Sequence, residues 1–134
     1  MIDIETEVYA RVTGKLKEKF PRLYTTGEYV RSPSSFPCVS LMAMDNTVLI
    51  RTQTSSSMEN HATVMFEANV YSNKAKNKKS ECKAIASALD DAMADLGFTR
   101  IMLNTVPNMD DATIYRIVGR YRAVVSKDNI IYRR

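Results

Sequence analysis

The chain has 134 residues, 45% of them hydrophobic, with two cysteines, one histidine and a formal net charge of +4. That length suits one domain, residues 1–134, able to bury roughly two-thirds of its unfolded surface. Cys38 and Cys82 are too few for a disulfide framework, no apolar run reaches the ~18 residues a membrane span needs, and no signal-peptide pattern opens the chain, so a cytosolic protein with free thiols is expected.

From Asp3 to Phe20 the apolar residues Ile4, Val8, Val12, Leu16 and Phe20 recur at four-residue steps, which predicts a helix. Acids lead it and lysines close it, as the helix dipole favours, and Pro21 ends it. Gly14 lies inside at a cost of about 1 kcal/mol relative to alanine, for which close packing against another element is one reason. Thr and Tyr content predicts a short strand over Leu23–Val30, and RSPSSFP at 31–37 a loop. Cys38–Asp45 reads as a buried strand, Asp45 and Asn46 as a turn, and Asn46–Asn60 as a flexible polar excursion.

Strict alternation over His61–Asn73 predicts a central strand, with Ala62, Val64, Phe66, Ala68 and Val70 on one face and Thr63, Met65, Glu67, Asn69 and Tyr71 on the other. Cys82, Ile85, Ala86, Leu89, Met93 and Leu96 then fall at helical spacing over Lys78–Leu96, with Gly97 placed to end the helix and Phe98 to fold back on its last turn. Asp90, Asp91 and Asp95 read as its solvated side. Thr99–Asn104 is a further strand. Thr113–Ser126, TIYRIVGRYRAVVS, keeps a two-residue period throughout, and a short closing strand follows at Asn129–Arg133.

The long strand at 113–126 organises the rest. One face carries Tyr115, Ile117, Gly119, Tyr121, Ala123 and Val125 and reads as core; the other carries Ile114, Arg116, Val118, Arg120, Arg122 and Val124. No carboxylate lies between Asp111 and Asp128, so the arginines are expected to find partners elsewhere, including on another chain. The element order predicts an α+β fold: a mostly antiparallel sheet of about four to five strands with two helices packed on one face. Met65, Tyr71, Ile114, Val118 and Val124 are not a polar set, which predicts that a second subunit covers the opposite face.

No catalytic constellation emerges. His61 stands alone, the cysteines lack metal-ligand spacing, and Gly14, Gly27, Gly97 and Gly119 form no phosphate-binding loop. The expectation is a protein without catalytic residues, cofactor or metal. Lys74, Lys76, Lys78 and Lys79 crowd the start of the second helix, where the dipole favours acids, so an anionic neighbour is one way to offset them.

FPCVSL at Phe36–Leu41, ENHATVMFEANVYSN at Glu59–Asn73, the alanine-rich helix ending in LGF at Leu96–Phe98, and DATIYRIVGRYRAVV at Asp111–Val125 together resemble the tail terminator, or tail completion, proteins of long-tailed bacteriophages and their prophages. The resemblance covers nearly the whole chain. It implies a structural virion protein, made in the bacterial host cytoplasm and built into the tail, where a ring, usually a hexamer, closes the head-proximal end of the tail tube and stops its growth. The implied partners are other copies of itself, the tail tube protein and the head connector protein, with DNA passing through the ring without sequence-specific binding, and with no membrane. Arg116, Arg120, Arg122, Leu49, Ile50, Lys74 and Lys78 are the candidate interface residues. The alternatives are a small basic nucleic-acid-binding module or another phage head-completion protein. A binder would interleave exposed aromatics with its basic residues, whereas the tyrosines of the long strand alternate away from its arginines.

Overall fold

The computed structural model describes residues 3–30, 33–48, 61–107, 113–126, 128 and 130–132. Helix α1 spans Glu5–Lys19 and buries Val8, Val12, Thr13 and Leu16, with Glu5 and Glu7 in its first turn and Lys17 and Lys19 in its last. Asp3 Oδ1 accepts the Glu5 N–H at 3.0 Å and so serves one of the first-turn donors. Gly14 faces open space rather than a packed neighbour, so close approach is not the reason for it.

Strands β1 (Tyr24–Thr26) and β2 (Cys38–Val48) pair in parallel, and β2 pairs antiparallel with β3 (His61–Ser72). Helix α2 (Lys78–Asp95) leads to β4 (Thr99–Thr105), then β5 (Tyr115–Ser126) and the two-residue β6 (Ile131–Tyr132). The sheet order is β1-β2-β3-β5-β4, with β6 also on β5. Strand β5 pairs with β3 along its whole length, from Tyr115 opposite Ser72 to Ser126 opposite His61. On its other side β4 covers Ile117–Arg122 and β6 covers Val124–Val125. The expected α+β class and mostly antiparallel sheet are found, with one parallel pair at the edge.

Both helices lie on one face, α2 against β3, β4 and β5 and α1 against β2 and α2. Between them and the sheet lies the main core: Val8, Val12 and Leu16 meet Ile85, Leu89 and Met93 above Leu41, Val64, Phe66, Ile117 and Tyr121. Helix α2 ends as expected. Gly97 takes φ 99°, the Phe98 N–H reaches Met93 O at 3.1 Å and the Gly97 N–H reaches Ala94 O at 2.9 Å. This hydrogen-bond pair turns the chain so that the Phe98 ring meets Phe66 edge-on, with centroids 5.4 Å apart.

Two boundaries differ from the sequence expectation for a physical reason. Asp45–Asn46 is not a turn: β2 runs on to Val48, with a bulge between Ala43 and Asp45. Asp45 Oδ1 accepts the adjacent Asn46 N–H at 2.9 Å rather than the N–H two residues on that an Asx turn uses, and pairing to β3 keeps the backbone extended. Of the excursion expected at 46–60, Asn46, Thr47 and Val48 therefore belong to β2, and residues 49–60 lie outside the described residues. The strand expected over Leu23–Val30 is confined to Tyr24–Thr26, because Glu28, Val30 and Phe36 lie on the other face of the sheet. There Tyr71 Oη donates to Val30 O at 2.8 Å and Ser40 Oγ donates to Glu28 O at 2.8 Å. Phe36 packs on Cys38, Tyr71 and Ile114 to make a second, smaller core.

Candidate functional site

The face of the sheet opposite the helices is divided. At the end where β2 begins and β3 finishes, residues around Glu28, Val30 and Phe36 cover it, so Cys38, Ser40, Asn69 and Tyr71 are fully buried by the chain itself. The expectation that Tyr71, Ile114 and Val118 need a second subunit is thus corrected: all three are already buried. Toward the other end the cover among the described residues is partial. Met42, Met65, Met102, Thr63 and Val124 are half-buried, and Met44, displaced at the bulge, is 41% exposed. Adaptable methionines dominate this strip, and thioethers suit surfaces that must fit another molecule.

The three arginines of β5 cross this face and fare differently. Arg116 donates from Nε and Nη2 to Asn69 Oδ1, at 2.9 and 2.7 Å, and its guanidinium stands 5.8 Å from the centre of the Tyr71 ring. Arg120 Nη2 lies 3.7 Å from Glu67 Oε1, a long ion pair, while its Nε is buried with no acceptor. Arg122 is exposed, and among the described residues its side chain makes no hydrogen bond or ion pair. The partners expected elsewhere are thus found within the chain for Arg116 and Arg120, not on a second chain. Their partners sit on β3, where antiparallel register sets Glu67 opposite Arg120 and Tyr71 opposite Arg116.

No protein-family model matches this chain, and no curated protein sequence matches it. Its shape is similar to a chain in a solved structure described as the virion of native gene transfer agent (GTA) particle. The two are 20% identical with a TM-score of 0.59, over 88% of this chain and 93% of that one. The two chains share a fold.

The remaining sequence candidates are dispersed. Lys78 is half-buried and spends its ammonium on the chain itself, Nζ donating to Thr113 O at 3.0 Å. Lys74 is exposed on the rim of a cleft beside the start of α2. Leu49 and Ile50 lie outside the described residues. Neither lysine joins the arginine strip.

Asp90 was expected on a solvated face and instead accepts a hydrogen bond from Tyr121 Oη at 3.0 Å, with Arg100 Nη1 3.5 Å from its other oxygen. Burial first, then the neighbouring Asp90 charge, holds the Tyr121 phenol well above its ordinary range. Tyr121 can reach that carboxylate because Gly119 leaves room. A Cβ at Gly119 would lie 3.0 Å from Leu103 Cδ1 and from Tyr121 Cε2. Asn69, which orients Arg116, is the residue that sequence reasoning passed over. Its only signal was that it shares a β3 face with Glu67 and Tyr71, the face that the β5 arginines must meet.

Proposed function

We propose that this protein is a structural component of a tailed, phage-like particle, and that it assembles as a closed ring of identical subunits at the head-proximal end of a tail tube. In that position it stops tube growth and offers a joint to the head connector. The observation that carries this reading is the half-exposed strip of Met42, Met44, Met65, Met102 and Val124, flanked by Arg120 and by Arg122, which has no partner among the described residues. Such a strip is adhesive without being chemically reactive. The shared fold with a chain from a gene transfer agent virion supports a virion role, and the sequence resemblance to tail terminator proteins supports the ring. The ring is the reading's finer part, with a hexamer as the expected closure.

The strip, rather than the whole open face, is the surface assigned to the neighbour, and within it Arg122 is the residue assigned to an acidic partner group. Native mass spectrometry at increasing protein concentration, with and without purified tail tubes, tests the proposal. A discrete ring species that grows with concentration or on the tubes is expected. A chain that stays monomeric in both conditions overturns it.

A further inference from the structure

Away from the strip, four segments converge on a cleft of about 530 Å³: the end of α1, the turn after it, the residues leading into β2, and the approach to α2. Its floor is apolar, formed by Phe20, Leu23 and Phe36, and its rim carries Lys19, Arg22 and Lys74. The three cations are exposed, and among the described residues none has an ion pair or a side-chain hydrogen bond. The one acid in the lining, Glu81, is turned to its own chain, where Oε1 accepts from Ser72 Oγ at 2.7 Å. The lining thus carries three cations against one carboxylate, a net positive charge around apolar residues.

We propose that this cleft docks an acidic peptide segment carrying an apolar anchor side chain, contributed by another protein. The volume falls within the ~300–1,000 Å³ of ligand-sized clefts, so one or two side chains can enter while flanking carboxylates meet Lys19, Arg22 and Lys74. A nucleic-acid duplex is too broad to enter, and its phosphates bring nothing apolar for Phe20 and Phe36 to cover. Charge complementarity at the rim sets encounter and orientation, and the floor supplies residence. Lys76 and Lys79, exposed and close in sequence to Lys74, add to the positive potential on the same approach. The docking site is separate from the methionine strip and does not rest on ring formation.

Fluorescence anisotropy of the full chain with a short labelled peptide, glutamates around a central phenylalanine, tests the assignment. Saturable binding is expected, weakened at least ~tenfold by Lys19→Glu combined with Lys74→Glu. Replacing the phenylalanine of the peptide by alanine should weaken it by a similar factor, and an oligothymidylate of equal charge should compete poorly. Lys74→Gln, a change at an exposed loop residue, gives a milder loss in a chain whose melting is unaltered. Absence of binding, undiminished binding by the variants, or better competition by the oligothymidylate overturns the proposal.

Discussion

Two side chains of one row, Arg116 and Arg122, do opposite things. Arg116 makes two short hydrogen bonds to a fully buried Asn69 and stands beside the Tyr71 ring. Removing it leaves Asn69 Oδ1 without its donors, at a cost of ~1–3 kcal/mol. Arg116→Ala is therefore expected to lower the denaturation midpoint clearly, whereas Arg122→Glu should stay within ~0.5 kcal/mol of the parent and act on assembly. Chemical denaturation of both variants, read beside their mass spectra, distinguishes the two roles, and equal destabilisation would reject the division. Gly14 offers the reverse case. Helical backbone with open space where a Cβ would sit gives Gly14→Ala an expected gain of about 0.4–1 kcal/mol, mostly from the unfolded chain. A loss on thermal melting would mean that the site is strained in a way its surroundings do not reveal.

Among the elements, those with a sustained period were readable from residues alone. The four-residue steps of α1, the alternation of β3 and β5, and the Gly97-Phe98 ending of α2 all stand where expected. Elements governed by distant pairing were not readable. The Asp45-Asn46 turn signal is overridden by pairing to β3, which keeps both residues in an extended strand. The shortness of β1 follows from bonds made by Tyr71 and Ser40 to carbonyls more than ten residues away. For the candidate site, the face bearing the arginines was legible and their partners were not, because Glu67 and Asn69 become partners only through strand register. The α2 terminus gives the test at this scale. With φ 99° at Gly97, Gly97→Ala forces a Cβ into the left-handed region at a cost of ~1–2 kcal/mol. An unchanged midpoint in urea would show that the last turn can end another way.

For the molecule as a whole, the groups with large shifts among the described residues tie folding to protons at alkaline pH. Burial raises the Cys38 thiol to about 11 and the Cys82 thiol to about 12, from 9.0, and the Tyr71 phenol to about 12, from 10.0. In each case the unfolded chain releases its proton first, so raising the pH favours unfolding. The stabilisation is fully present below pH 9 and is lost progressively as pH climbs toward 12. Denaturation midpoints should therefore hold up to pH 9 and fall beyond it, and both thiols should resist Ellman's reagent at pH 8 until denaturant is added. Rapid labelling of the folded chain would contradict their burial.

Strand β5 is bonded on one side by β3 from end to end and on the other by β4 and then β6. A tension applied along its axis would load those ladders in shear, so that many hydrogen bonds must yield together, whereas a pull across the sheet would peel them one pair at a time. The chain is thus mechanically anisotropic: stiff along the direction of its longest strands and weak at the short strands β1 and β6, which three and two residue pairs hold in place. A joint made of such subunits would carry load best with β5 aligned to the force.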